Sequence, residues 1–218
     1  MVLQRDQLSR IKISGYKSIR ECDLELKNIN VLIGANGSGK SNFISAFSFL
    51  QSVLTKGLQL FAAQSGVNSL FYEGRKVTDQ IFFEAFFGLN SYGFELVPTD
   101  DNRLVFNKEF FGYYWKTDWQ SEIARGNFES RWNIGVGNNS DLIQSAAVDS
   151  QLIVSTQSVD LLNEFDAEDV IVANRGSRGT ELMRLPAESL KVWLEDDYSL
   201  GDLWNMNLLG GRPAAEPV

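Results

Sequence analysis

"NVLIGANGSGKSNFISAF", residues 30–47, decides how the rest of the chain is read. An apolar run enters a glycine-rich turn, and apolar residues at helical spacing leave it. Gly34-Ala35-Asn36-Gly37-Ser38-Gly39-Lys40-Ser41 fits G-x-x-x-x-G-K-[ST], the loop whose backbone N–H groups cradle phosphates. Glycines let those N–H groups turn inward as an anion-binding nest. A helix starting at the same place adds its positive N-terminal end. In this motif Lys40 lies against the β- and γ-phosphates as a point charge, and Ser41 places its hydroxyl on Mg²⁺. A glycine-rich turn can be only a turn. Here the lysine, the serine, the preceding strand and the following helix are all present, which is the context the motif needs. The expectation is a phosphate site built from Gly34, Asn36, Gly37, Ser38, Gly39, Lys40, Ser41 and Asn42.

Working outward, "RIKIS" and "CDLEL" alternate as two short strands near residues 10–14 and 23–26, with Ile11 and Ile13 on one face and Gly15 breaking the first run. "INVLI" is a continuous apolar run, as expected for a strand covered on both faces. After the loop, Phe43, Ile44, Phe47, Phe49, Leu50, Val53 and Leu54 recur at roughly helical spacing, and Gly57 is a plausible stop. From Val77 to Phe111, "IFFEAFF", "YGFELVP" and "RLVFNKEFFGYYW" read as an antiparallel meander with turns at "GLNS" and "TDDN". The stretch 127–141 reads as a loop, "DLIQSAAVDS" as a short helix, "QLIVS" as a buried strand and "VDLLNEF" as another short helix. "DVIVANR" and "GTELMRLP" form two strands turning at "RGSRG". "AESLKVWLEDDYSLGDLW" is helical through Trp193 at least, and the tail "GGRPAAEPV" is expected to be mobile.

Composition removes whole classes of chemistry. The 218 residues, 44% of them hydrophobic, suit a packed domain of ordinary size. There is no histidine, so imidazole acid–base catalysis and the common zinc sites are excluded. Cys22 is the only cysteine, which rules out an intrachain disulfide. The net charge of −8 argues against a diffuse basic surface for nucleic acid, leaving only a local groove. The N-terminus lacks the apolar core of a signal peptide, and no run of about 18 apolar residues could span a membrane. A cytoplasmic protein that avoids the membrane is the expectation.

"IKISGYKSIRECDLELKNINVLIGANGSGKSNFISAF" resembles the opening of ABC-type ATPases with SMC-like or RecF-like heads. It looks most like bacterial "AAA family" ATPases found beside phage-defence nucleases, including those of Septu-type systems. The resemblance implies an α/β fold, a P-loop NTPase of ABC/SMC-head type with a mixed sheet and an antiparallel β subdomain. It also implies that the strand ending in Gly15-Tyr16-Lys17-Ser18 runs beside the nucleotide, with Lys17 as a contact. "SQLIVSTQSVDLLNEFDAEDVIVANR" is similar to the family's switch segment, which places Gln157 where the γ-phosphate is sensed. An amide there can hydrogen-bond a phosphate oxygen or a water, but it carries no proton as an imidazole would. "WLEDDYSLGDLWNMNLLGGRP" looks like the family's ending. The resemblance covers about residues 8–90 and 141–213. It implies a single ATPase domain over 1–213, comprising a P-loop lobe (1–60), an antiparallel β region (77–120) and a C-terminal switch strand with helices (141–213), followed by a tail (214–218).

Two expected parts are not visible. Hydrolysis in this class uses a strand ending in Asp-Glu, one carboxylate for Mg²⁺ and one for water, and a Ser-Gly-type signature presented to the other subunit. "FELVPTDD" lacks the ending. Glu195, Asp196 and Asp197 come after the switch at helical spacing and read as a solvated face. The join near Ser140–Asp141 is therefore where an internal block is expected to be missing. The aromatics from Phe82 to Trp119 read as sheet packing, with few cations among them for a base-stacking platform. Arg125, Arg131, Arg175 and Arg178 receive no role from spacing alone. The first reading is an ATPase, with ATP and Mg²⁺, that forms a homodimer or higher oligomer and serves a nucleic-acid-directed assembly with a separate nuclease. The alternatives are a nucleotide-binding scaffold that does not hydrolyse and a P-loop small-molecule kinase.

Overall fold

Ile11 and Ile13 flank Lys12, and a period of two buries both on one face of strand β1 (Leu8–Tyr16). β1 pairs antiparallel with β2 (Ile19–Glu25), Ile11 opposite Leu24 and Ile13 opposite Cys22. The computed structural model describes residues 7–115, 117–131, 151–196 and 198–211. The chain divides into two compact units, Met1–Asn28 with Asn42–Gln151 and Ile29–Ser41 with Leu152–Val218.

In the first unit β1 and β2 join β4 (Ile81–Phe87), β5 (Asn90–Pro98), β6 (Leu104–Trp115) and β7 (Thr117–Ala124) in one antiparallel sheet, ordered β2-β1-β4-β5-β6-β7. Ile13 faces Phe83, and Phe83 faces Phe94, so one side of the sheet is a continuous apolar strip. Helix α1 (Lys40–Leu54) buries Phe43, Ala46, Phe49, Leu50 and Val53, a stripe at spacings of three and four. The Phe49 ring stacks on Tyr16 at 5.2 Å and meets Phe83 at 5.4 Å. Two short helices follow, α2 (Leu58–Ser65) and α3 (Val67–Leu70). The first amides of α2 have no intrahelical partner. Glu129 supplies one, its carboxylate accepting from Leu58 N–H and Gln59 N–H at 3.1 Å each. The fully buried Glu109 accepts from Tyr92 Oη at 2.7 Å and Arg131 N–H at 2.9 Å, so its burial is matched by donors. Burial raises the Cys22 thiol to about 12, with Asp23 adding to the effect, so this cysteine is inert.

In the second unit β3 (Ile29–Ile33) lies between β8 (Leu152–Ser155) and β9 (Val170–Gly176), parallel to both, and β10 (Gly179–Arg184) closes a hairpin on β9. Val31, Ile33, Val170 and Val172 from the strands pack with Leu162 of α4 (Val159–Leu162) and with Leu200, Leu203 and Trp204 of α6 (Leu200–Asn205). α5 (Ala187–Glu195) buries none of its residues fully. Ser199 and Asp202 form a reciprocal cap at the start of α6. The Ser199 hydrogen bonds hold the Asp202 carboxyl below its ordinary range.

The α/β class, with a mixed sheet and a separate antiparallel β region, is as the sequence implies. β8 is a strand but not a buried one: Leu152 is 47% exposed, and no other strand borders β8 among the described residues. The "RGSRG" turn is observed, and Glu195 and Asp196 are exposed at the end of α5. The "DLIQSAAVDS" helix, most of the 127–141 loop, the Ser140–Asp141 join, Asp197 and the end of the tail lie outside the described residues. No helix among the described residues is long and apolar enough to cross a membrane.

Candidate phosphate-binding site

β3 runs into the glycine loop, and α1 starts from it at Lys40. Gly34 and Gly39 adopt φ of +150° and +103°. Their positions also forbid a side chain: a Cβ at Gly34 would fall on the Ala173 carbonyl oxygen, and one at Gly39 would fall inside the Thr180 side chain. The loop is thus pressed against the β9–β10 hairpin. Gly37, at φ +78°, is different, because a Cβ there would meet nothing within 4 Å. Its glycine answers to backbone conformation alone.

Lys40 is 9% exposed, and its ammonium donates to Gly34 O at 2.6 Å and Ala35 O at 2.8 Å. Burial lowers its pKa below the ordinary lysine value. A lysine ammonium has three donors, so one remains beyond these two bonds. The Ser38 N–H closes the loop on Ala35 O at 3.2 Å. Ser38 Oγ, on a residue only 2% exposed, has no hydrogen-bond partner among the described residues. A buried hydroxyl in that state calls for a polar ligand or water. Ser41 is exposed.

Gln157 follows β8 and reaches the same loop, its Nε2 donating to Asn36 Oδ1. The neighbours of Gln157 are fixed and present it outward. Thr156 N–H donates to Leu32 O at 3.0 Å, and Thr156 Oγ1 accepts from Ser158 N–H at 2.9 Å. Ser158 Oγ in turn caps α4 by accepting from Leu161 N–H at 3.2 Å. Gly34, Asn36, Gly37, Ser38, Gly39, Lys40, Ser41 and Gln157 therefore all belong to the second unit. Lys17 and Asn42 belong to the first. There Lys17 Nζ donates to Ser45 Oγ at 3.0 Å, and Asn42 Nδ2 donates to Ser18 Oγ at 2.7 Å. Burial lowers the Lys17 pKa.

Three contributors to the loop's shape escaped the sequence reading. Thr180 sits against Gly39, and Asn174 and Gly211 connect to Ala35. The tail is accordingly not free at its start, a correction to the expectation of mobility. The paired glycines of "LLGGRP" were the available signal, since both take positive φ. No group of three or more Asp, Glu, His or Cys side chains gathers as a metal site among the described residues.

The family described as "AAA domain, putative AbiEii toxin, Type IV TA system" matches residues 29–124. That stretch holds β3, the glycine loop, α1–α3 and β4–β7, and it ends before β8 and Gln157. No curated protein matches the chain. Among solved structures, the Smc head domain with a coiled coil and joint from Pyrococcus yayanosii is similar at 19% identity and a TM-score of 0.38. The likeness covers 64% of this chain and 25% of that one, so the chain spans about a quarter of the length of the protein it matches. The matched stretch contains the glycine loop, so the family match and the motif agree on a P-loop of α/β class.

Proposed function

We propose that residues 34–41 bind ATP with Mg²⁺ and that the chain is the nucleotide-binding part of an SMC/RecF-like ATPase that dimerises around the nucleotide. The observation that carries the reading is the buried pair of Lys40, with one donor to spare, and Ser38 Oγ, with no partner among the described residues. Both sit in a loop whose glycines are dictated by packing on one side and left open at Gly37 on the other. In this reading Lys40 keeps its bonds to the Gly34 and Ala35 carbonyls and turns its remaining donor to the β- and γ-phosphates. The backbone from Asn36 to Ser41 lines the anion, Ser41 holds Mg²⁺, and Gln157 turns from Asn36 to the γ-phosphate. Lys17 and Asn42 follow from the resemblance, as does the division into a P-loop lobe, β region and switch segment within one domain. Mg²⁺ held by Ser41 would supply positive charge against the phosphates.

Turnover requires carboxylates to hold that ion and polarise water. The sequence expects them at an internal block near Ser140–Asp141. Nucleotide binding and nucleotide-dependent self-association are proposed for this chain. Catalysis is proposed only for a chain that carries that block. A cytoplasmic phage-defence assembly with a nuclease and nucleic acid is proposed by analogy alone.

The test is equilibrium binding of ATP–Mg²⁺ to the purified chain, with phosphate release and sedimentation measured on the same samples. Saturable binding that Lys40→Ala removes, together with a shift from monomer to dimer on adding ATP, is the expected result. Binding without phosphate release at any protein concentration would favour the non-hydrolysing scaffold. Transfer of phosphate to a small acceptor would favour a kinase, and absence of binding would overturn the proposal.

A further inference from the structure

We infer that the Gly210–Gly211 segment, held by Asn174, is a strap that fixes the phosphate loop in its anion-binding shape. Asn174 and Gly211 are then positioning residues for the nucleotide, and the inference rests on nucleotide binding at residues 34–41. Every group involved lies in the second unit. Asn174 Oδ1 accepts from the Gly211 N–H at 2.6 Å. The Gly211 carbonyl accepts from the Ala35 N–H. The Ala35 carbonyl accepts from Lys40 Nζ at 2.8 Å and from Ser38 N–H at 3.2 Å. A chain of hydrogen bonds thus runs from a β9 side chain, through the strap, to the loop's lysine.

Ala35 is the hub of this chain. The peptide plane that holds the Ala35 N–H also carries the Gly34 carbonyl, so the strap aims that carbonyl, which accepts from Lys40 Nζ at 2.6 Å. Released from Gly211, the Ala35 N–H needs another acceptor, the peptide can rotate, and the lysine loses a fixed resting place beside the loop. Preorganisation of this kind raises affinity by removing ordering costs from the binding step.

The strap is built for close approach. Gly210 and Gly211 have φ of +77° and +78°. A Cβ at Gly211 would stand 3.0 Å from Val172 Cγ1 and 3.1 Å from Gly34 Cα, tight contacts that, with the positive φ, favour glycine where the segment lies this near the loop. Just before it, Leu209 is buried in the core of the unit with Trp204 and Leu203, which anchors the strap from its other end. A tail that merely ended the domain would need neither the paired positive φ values nor a bond into the glycine loop.

The experiment measures binding of methylanthraniloyl-ATP with Mg²⁺ and amide hydrogen exchange on five proteins. These are the wild type, Lys40→Ala, Asn174→Ala, Gly211→Ala and a chain ended after Leu209. Loss of one hydrogen bond to a loop that binds a charged ligand predicts a Kd raised about tenfold or more in the three strap variants. Exchange at Ala35 should quicken while β3 and β9 amides keep wild-type protection. Unchanged Kd in the strap variants, with the wild type binding and Lys40→Ala not binding, overturns the strap and leaves the nucleotide site standing. Protection lost throughout β3 and β9 along with Ala35 overturns it also, because the effect is then general destabilisation. If the wild type itself fails to bind, the reading of residues 34–41 has failed. The strap is then decided by exchange at Ala35, where unchanged protection in the shortened chain refutes it.

Discussion

Gln157 Nε2 donates to Asn36 Oδ1, joining two exposed side chains 121 positions apart in sequence. The amide of Gln157 is thus parked on the loop by a bond that a phosphate oxygen can replace. Hydrogen bonds to charged groups contribute about 1.5–3 kcal/mol, against roughly 1 kcal/mol for an exchangeable neutral one. Gln157→Ala is therefore expected to weaken ATP about tenfold or more while leaving ADP nearly unchanged. Competition of ATP and ADP for one fluorescent nucleotide measures this. Equal loss for both would mean that Gln157 supports the loop and does not read the terminal phosphate.

Lys40 gives a pH dependence whose sign follows from its burial. Its pKa is lowered in the folded protein, so the free protein loses this proton at a lower pH than an unfolded chain does. Above that lowered pKa the ammonium is gone and affinity for phosphate falls. Across the same window the unfolded chain holds more protons, so the contribution of Lys40 to stability increases as pH rises. Nucleotide affinity should decline on the alkaline side before the ordinary lysine value of about 10.4 is reached. Lys40→Arg should flatten that limb, because a guanidinium keeps its charge. A decline that persists unaltered in Lys40→Arg would assign it to another group.

The two inner glycines of the loop should respond differently to alanine. Gly37→Ala meets only the cost of left-handed backbone, roughly 1–2 kcal/mol, since its Cβ has open space. Gly39→Ala meets that cost and collides with Thr180 as well. The expected order is modest destabilisation with binding retained for Gly37→Ala, and loss of binding with larger destabilisation for Gly39→Ala. Urea unfolding and ATP titration on both variants check the order.

Glu129 fastens the start of α2 through both carboxylate oxygens. Removing a helix cap costs about 0.5–2 kcal/mol. Glu129→Ala should lower stability by about 1 kcal/mol without touching nucleotide affinity. Phe49→Ala, which empties a position ringed by Tyr16, Phe83 and Phe94, should cost about 3–5 kcal/mol. Thermal unfolding of the two variants side by side reads the contrast.

What the sequence disclosed was local. Alternation at Ile11 and Ile13, the run Ile29–Ile33, the stripe from Phe43 to Val53 and the "RGSRG" turn each follow from short-range periodicity or turn chemistry, and each is observed. Partners distant in the chain were hidden. Nothing in "RIKIS" says that β1 pairs with β4, in a different sheet from β3. The apolar letters of "QLIVS" predict burial, but burial depends on neighbouring strands that a local pattern does not name. The site shows the same division. Lys40 and the glycines are legible because the motif is contiguous, whereas Thr180, Asn174 and Gly211 act through contacts that only the folded chain brings together.

The most direct test of the central claim is an ATP–Mg²⁺ titration followed by the backbone amide resonances of the isotopically labelled chain. Nucleotide binding at the loop predicts saturable shifts concentrated at residues 34–41 and Gln157, and their loss in Lys40→Ala. Saturable shifts centred elsewhere, or a loop whose resonances do not move at saturating ATP, would contradict it.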